Sequence, residues 1–445
     1  MDRIVAIIVR VLSALGGWAR VLPGIDYASW RPGQKVKVLL AGYNGARNTG
    51  SDVRVCTIAE QLQKRLGDAV EISVMSLDVA STAPYFDARV RQISFGTLFF
   101  GALYRACSEH HVVILCEGST LKSKFANALT LYNCEAAGVA RAQGKPCIAY
   151  GSEIGEMDAF VAHAARDLCS DVQFIVRSTG SLEALQRLGL DGRLGTDTAW
   201  RFDSSSAHEQ AVALLQAGGW DGKAPLLGIA PVNPYCWPVK PSVHRFVRSA
   251  VTGDWSGHYQ AWYYFSQSAQ RERRFQAYLE ALAGACLAFV AERGFQPVIF
   301  GMEQLDREAC CRLNDLMGGG VPLVLSNEHD GYLIAEALRS LSLLVTSRYH
   351  AQVLATRALV PAVAVSMDER LDNLSQELGT SRGQLLHVDD VDLGPRLLLA
   401  MDDTWADAAR IKETLAQGLE AAVASLDAMD EWLATTLGAA AMRLA

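Results

Sequence analysis

The sequence predicts an α/β fold of two domains, each built on a mostly parallel sheet with helices on both faces. Three observations lead there. The 445 residues exceed what one hydrophobic core usually supports. Short apolar runs alternate with helix-length segments along most of the chain, the βα rhythm of a parallel sheet. That rhythm halts and restarts at the polar stretch Asp203-Ser204-Ser205-Ser206.

The first domain, 35–202, opens with a strand at Lys35 to Ala41 that runs into a glycine-rich turn. Further strands are expected at Glu71 to Met75, Val112 to Cys116, Cys147 to Tyr150 and Phe174 to Val176, with helices at Val53 to Leu66, Asn127 to Gln143 and Ser181 to Leu188. The second domain, 203–400, has strands at Leu226 to Ala230, Val298 to Phe300, Leu323 to Leu325, Leu343 to Thr346 and Ala362 to Val365. An insertion at about 233–270 carries Trp237, Trp255, Tyr259, Trp262, Tyr263, Tyr264 and Phe265. It reads as a lid or acceptor platform offering flat faces to sugar or lipid, or as aromatics that pin the insertion to its own domain. Residues 401–445, alanine and leucine at helical spacing, predict closing helices.

Residues 1–34 form an amphipathic helix and a linker. Ile4 to Leu22 is apolar, but Arg10, Arg20 and Gly16-Gly17 interrupt it, which suits neither a spanning helix nor a signal peptide. An interfacial helix fits better. Its arginines and Trp18 could meet an anionic membrane surface, or the helix could pack on its own protein or on a partner subunit of a homo-oligomer.

Chemistry gathers where the strands end, the side on which open α/β sheets bind ligands. The run Leu341 to Val345 reads as a buried strand, so Ser347-Arg348-Tyr349-His350 comes after it with a fixed cation and a titratable proton donor. The alternative is an arginine paired with a carboxylate and a histidine that caps the next helix. The loop Gly42 to Asp52 contributes Asn44, Arg47 and Asn48, and its amides together with the next helix N-terminus suit a phosphate or carboxylate. It lacks the lysine and hydroxyl of a Walker loop; its alternative role is a tight turn in which the glycines permit positive φ and Asp52 caps the helix. Cys116-Glu117-Gly118-Ser119 ends the third of the expected strands and offers Glu117 as a proton acceptor. Glu153, in Tyr150 to Gly155, is a second acceptor or a partner for Arg47 or Arg177. Arg177-Ser178 reaches the same rim, so an arginine from each domain faces one cleft.

A formal net charge of −7 with no basic stripe excludes a nucleic-acid partner. The ten cysteines are scattered, with no Cys-x-x-Cys pair, and suggest neither a zinc site nor a disulfide framework. They read as reduced core residues of a cytoplasmic protein.

The order of these motifs resembles the polysaccharide pyruvyl transferase family. The resemblance runs from about Lys35 to Gly379: Gly42-Tyr43-Asn44-Gly45 through Asn48-Thr49-Gly50-Ser51-Asp52, Glu117-Gly118-Ser119, Arg177-Ser178 with Leu188-Gly189, Asp197-Thr198-Ala199, and Ser347-Arg348-Tyr349-His350-Ala351 with Val360-Pro361-Ala362-Val363. It departs at Cys116-Glu117, where the family has glycines, and at Asp368-Glu369-Arg370, where the family stretch ends in lysine.

The resemblance implies two Rossmann-like domains facing a cleft in a GT-B-like pair, and transfer of the pyruvate unit of phosphoenolpyruvate to saccharide hydroxyls as a ketal. Phosphoenolpyruvate is then a co-substrate, with no cofactor and no metal. His350 and Arg348 act on the donor and Glu117 or Glu153 is the base, while Arg177, Ser178, Asn44, Arg47, Asn48, Ser119, Glu153 and Ser347 bind substrate. Replacing Arg348 or His350 is expected to stop transfer and spare the fold. The acceptor would be a lipid-linked or nucleotide-linked glycan intermediate, met at the inner face of a membrane. A GT-B glycosyltransferase with a nucleotide-sugar donor and a catalytically silent scaffold protein are the alternatives.

Overall fold

The computed structural model describes residues 1–31, 33–95, 99–253, 263–380 and 382–443. Helix α1 (Asp2–Ala14) precedes the first sheet. The strands of that sheet are β1 (Val36–Asn44), β2 (Val70–Ser76), β3 (Val90–Ser94), β4 (Val112–Leu115), β5 (Cys147–Ser152), β6 (Gln173–Val176) and β7 (Gly192–Leu194), in the order 3-2-1-4-5-6-7. All neighbours are parallel. They are linked by α2 (Thr49–Leu66), α3 (Val79–Thr82), α4 (Phe99–Glu109), α5 (Asn127–Ala142), α6 (Ala159–Leu168) and α7 (Thr179–Arg187).

The second domain begins with α8 (His208–Ala217) and β8 (Leu226–Ala230). The insertion comes next, with β9 (Lys240–Pro241), α9 (Val243–Thr252) and β10 (Tyr263–Tyr264), and then α10 (Ala269–Arg293). The sheet resumes with β11 (Gln296–Gly301), α11 (Arg307–Leu316), β12 (Leu323–Leu325), α12 (Gly331–Arg339), β13 (Leu343–Thr346), α13 (Tyr349–Thr356), β14 (Ala362–Ser366), α14 (Glu369–Glu377) and β15 (Leu385–His387). Its order is 12-11-8-13-14-15, again parallel throughout. α15 (Leu393–Ala406) covers α10, and α16 (Ala408–Arg443) turns back to the first domain.

The strands that sequence reading omits are short or marginal. β3 and β15 are edge or near-edge strands with polar residues, and all three residues of the edge strand β7 are exposed. None carries the apolar run that marks a buried parallel strand. Val112–Leu115 is therefore the fourth strand in chain order, not the third. The expected boundary at 400 cuts α15, which packs as one helix on α10.

Strand alternation assigns the cores. Leu39 and Ala41 face one side of the first sheet with Val113 and Leu115, while Val38 and Leu40 face the other with Ile114. This second face is continuous with residues of the second domain, among them Ala230, Leu344 and Leu354, so the two domains share a core. α16 seals it with buried Leu426, Met429 and Leu433. The Tyr150 hydroxyl donates to Asp430 Oδ1 at 3.0 Å, and the Arg193 guanidinium lies 4.3 Å from the Trp432 ring centre. The C-terminal part of the last helix thus packs on the first domain, while Gly418 lies against Leu378 of the second. α10 has the length and apolarity of a membrane span, yet Phe275, Tyr278, Leu279 and Phe289 are buried in the second domain's core.

Trp200, fully buried in the shared core, comes directly after the motif Asp197-Thr198-Ala199. Trp200→Ala should cost about 3–5 kcal/mol, measured as a lower urea midpoint, with Trp200→Phe losing less. An unchanged midpoint would mean that the shared core does not hold the domains together.

Candidate active site

In each sheet the strand order reverses once, between β1 and β4 in the first domain and between β8 and β13 in the second. Ligands of open α/β sheets bind outside the carboxyl ends at such points. Here both reversal points open on one cleft. Asn48, Gly50 and Ser51 reach it after β1, Glu117 to Ser119 after β4, Trp237 after β8, and Arg348 to His350 after β13. α2 and α13 therefore aim their N-termini at the same space from different domains, and each supplies the positive end of a helix dipole.

Beneath the cleft lies a ring of buried charges. Asp197, fully buried, accepts from Arg54 Nε at 3.1 Å, from Arg177 Nη1 at 2.7 Å and from the Ala199 amide at 2.9 Å. His350 Nε2 stands 3.5 Å from Asp197 Oδ2, an ion-pair contact from the opposite domain. Burial works against the Asp197 charge, but Arg54, His350 and Arg177 hold its carboxyl well below the usual carboxylate range. Burial pulls the His350 imidazole down, and Asp197 recovers only part of the drop. Arg54 also donates to Cys116 O at 2.9 Å, Tyr150 O at 3.2 Å and Gly151 O at 2.6 Å. Gly50 has to be glycine, since a Cβ there would overlap the His350 ring.

Glu153 pairs with Arg177 and with Lys122 Nζ at 3.0 Å. Lys122 also approaches Glu369 at 2.9 Å and Asp368 at 3.5 Å, so it joins the two domains. Burial pulls its ammonium down, yet Glu153 and Asp368 raise it overall. Arg370, whose Nε donates to Asp368 Oδ1 at 2.9 Å, lines the cleft with its guanidinium 4.6 Å from the Phe125 ring centre. The altered Asp368-Glu369-Arg370 segment therefore still supplies a cation, with Lys122 behind it.

Six of the sequence-predicted residues line the cleft: His350, Arg348, Glu117, Arg177, Asn48 and Ser119. Glu117 is held by three donors, the Tyr43 amide at 3.2 Å, Ser51 Oγ at 3.1 Å and the Ser119 amide at 3.3 Å. Five residues lie elsewhere. Asn44 donates to Met75 O at 3.1 Å under the loop, and Arg47 takes a positive φ of 54° and is not among the lining residues. Ser178 caps α7, Ser347 hydrogen-bonds the Tyr278 hydroxyl at 2.8 Å, and Glu153 sits in the charge ring, paired with Arg177 and not with Arg47.

Arg348 combines both sequence readings. It lines the cleft, and it is also paired with Glu303 at 3.0 Å and with Asp306, to which Nε donates at 3.1 Å. Asp52 is not the cap of α2. Asn48 fills that role, accepting from the Ser51 amide at 3.2 Å, while Asp52 accepts from the Gly45 amide at 3.0 Å and burial pushes its carboxyl up to about 7. Sequence reading missed Arg54 and Lys122 as site cations, left Arg370 as a doubtful stand-in for the family's lysine, and did not give Asp197 its role. The one available signal was a lone arginine inside the apolar helical run Val53 to Cys56.

Among the aromatics of the insertion, Trp237 forms a cleft wall, its ring 5.0 Å from that of Phe125 and 6.3 Å from that of Phe265. Trp255, Tyr259 and Trp262 lie outside the described residues.

The arrangement resembles known two-domain structures. Sucrose-phosphate synthase from Thermosynechococcus elongatus aligns with a TM-score of 0.55 at 12% identity, over 91% of this chain and 98% of that one. UDP-GlcNAc 2-epimerase from Neisseria meningitidis aligns with a TM-score of 0.54 at 9% identity, over 88% and 99%. The same enzyme from Methanocaldococcus jannaschii gives 0.52 at 11%, over 83% and 92%. These likenesses establish the GT-B arrangement of the domains. No curated protein matches by sequence. Residues 48–369, from the cap of α2 to the start of α14, match the polysaccharide pyruvyl transferase family, and with the motif loops of both domains gathered on one cleft, the chain belongs to that family.

Proposed function

We propose that the chain transfers the pyruvate unit of phosphoenolpyruvate to two hydroxyls of a saccharide, forming a ketal and releasing phosphate. The carrying observation is the convergence of two helix N-termini, Arg177, Arg348, Arg370 and His350 on one cleft, with family membership pointing the same way. A small donor with a carboxylate and a phosphate suits such a site, because forked guanidinium bonds and helix-end amides both recognise those groups.

In this reading His350 protonates the methylene carbon, which becomes the methyl group, and positive charge develops at the adjacent carbon. One hydroxyl attacks there, the carbon–oxygen bond to phosphate breaks, and the second hydroxyl closes the ketal. One hydroxyl proton replaces the one given by His350 and the other leaves with the base or with phosphate. Glu117 is the base, because it faces the cleft while Glu153 is locked beneath it. Asp197 positions the imidazole. The scattered cysteines fit a reducing, cytoplasmic setting.

Nucleotide-sugar transfer is the second reading, favoured by a fold neighbour that was solved bound to UDP-GlcNAc. A thermal-shift titration separates the two. Phosphoenolpyruvate at a hundredfold excess over its Kd should stabilise the protein by about 2.7 kcal/mol, and UDP should not. Stabilisation by UDP alone would replace the pyruvyl reading with the glycosyl one. Arg370→Ala should weaken the phosphoenolpyruvate shift.

His350→Gln should lower kcat by about 10²–10⁴ with thermal stability near that of the parent, whereas Gly50→Ala should lower kcat and thermal stability together, because its Cβ would overlap the His350 ring. Full activity in either would remove His350 from the reaction. Arg348 differs from the expectation drawn from sequence: Arg348→Ala leaves Glu303 and Asp306 buried without their cation and should cost about 3–5 kcal/mol, so loss of activity there reports the fold as well as the site.

The pH profile is set by the sign of the His350 shift. Burial keeps its free-enzyme pKa below the ordinary histidine value of 6.5, so kcat/KM should fall as pH rises through a value below 6.5. A bound dianionic donor favours the imidazolium, so the fall in kcat should come at higher pH. Asp197→Asn removes a charge that raises the His350 pKa and should move the kcat/KM limb to lower pH. Movement to higher pH would refute the assignment.

A further inference from the structure

α1 is tied down on one side only. Ala6, Val9 and Ser13 pack on the first domain, so closely that a Cβ at Gly138 of α5 would overlap Ser13 and one at Gly16 would overlap Ala142. The opposite side exposes Ile4, Ile7 and Val11 and, beyond the helix, Leu15, Trp18 and Val21, each between 43% and 71% exposed. Their spacing of three and four residues makes one stripe along the helix and the turn after it. Contiguous apolar surface of this extent on a soluble protein marks an interaction site.

Charge identifies the partner. Residues 1–25 contain Arg3, Arg10 and Arg20 against a single acid, Asp2, in a chain whose net charge is −7. Asp2 is occupied, accepting from Asn127 Nδ2 at 2.9 Å, and Arg10 is occupied by Asp167 at 2.8 Å. Arg3 is exposed at one end of the stripe; Arg20, at the other end, is exposed and keeps its charge while donating to the Tyr27 hydroxyl at 3.2 Å. A cationic apolar strip on an acidic protein suits anionic headgroups over an acyl layer. In a two-fold dimer of this chain the strip would meet itself, arginine against arginine.

The stripe also starts beside the cleft. Asn127 begins α5, and two residues earlier Phe125 O accepts from the Val239 amide at 2.8 Å while its ring meets Trp237. We propose that the exposed face of α1 docks on an anionic lipid bilayer and holds the Phe125–Trp237 wall of the cleft near the membrane surface, where a lipid-linked saccharide would present its hydroxyls. The docking stands on α1 alone; the role given to the saccharide rests on the transfer reading above.

The full chain is sedimented with phosphatidylcholine vesicles and with vesicles that also contain phosphatidylglycerol, at low and high salt. Binding should be at least about tenfold tighter to the anionic vesicles, weaken with salt and be lost in Ile7→Ser/Val11→Ser, whose circular dichroism and phosphoenolpyruvate thermal shift should match the parent. Arg3→Gln/Arg20→Gln should reduce binding to the level of neutral vesicles. No binding to anionic vesicles, or equal binding by the serine variant, overturns docking. A mass by light scattering that halves in the serine variant, without vesicle binding, gives the stripe to a second copy of the chain and also overturns it. Vesicle binding without a phosphoenolpyruvate shift leaves docking in place and removes the transfer reading.

Discussion

The carboxylate of Asp197 takes Arg54 and Arg177 from its own domain and faces the His350 imidazole of the other. Removing such charges from water costs several kcal/mol per ion and is recovered only where the remaining lone pairs and protons find partners. That demand organises the surrounding backbone. Arg54 must donate onward to the carbonyls that end β4 and β5, which fixes the turns at Cys116 and Gly151, and Arg177 must also hold Glu153. The loops that shape the cleft are therefore set by bonds beneath it, and a Cβ on Gly118 would press on both guanidinium groups, at 3.1 Å from Arg54 Nη1 and 3.4 Å from Arg177 Nη1.

This explains why the cleft carries cations that are not simply waiting for an anion. Arg177 and Arg348 each answer two carboxylates, and removing either would leave buried acids unpaired. An incoming dianion does not have to order these side chains, because the protein's own acids already hold them in place. The helix N-termini of α2 and α13 add fixed dipoles that need no counter-charge.

Much of this was legible in the sequence because it lies in the periodicity of the strands and in the residues just past the end of each one. Apolar runs located the central strands, and Arg177, Glu117, Arg348 and His350 stood out because they sit within a few residues of where those runs stop. Residues whose role depends on three-dimensional closure were not legible. Arg54 lies a full turn inside α2, Lys122 reaches across from the first domain to Asp368, and Asp197 looked like a motif residue with no stated partner. The opposite error came from adjacency. Ser178, Ser347, Asn44 and Arg47 stand next to cleft residues in sequence, yet a one-residue step on a strand end or helix cap turns a side chain away from the cleft.

The seam between the domains is itself polar. His350 meets Asp197, Lys122 meets Asp368, Lys124 Nζ donates to Met367 O at 2.8 Å, and Thr196 Oγ1 donates to Glu377 at 2.8 Å. Burial pushes Glu377 up to about 7, so its carboxyl can meet the neighbouring Asp197 as a neutral group. A purely apolar seam would gain free energy smoothly with area and tolerate sliding, whereas directional pairs are satisfied in one register only. The register that pairs them is also the one that sets His350 over Gly50 and brings α13 to α2. Opening the seam would separate the imidazole from Asp197 and divide the cleft-lining cations between the two domains, so the same contacts that hold the domains together complete the site. α16 supports this arrangement from behind: rooted in the second domain and packed on Tyr150 and the turn after Asp197, it ties the distant end of the chain to the carboxylate on which the cleft is built.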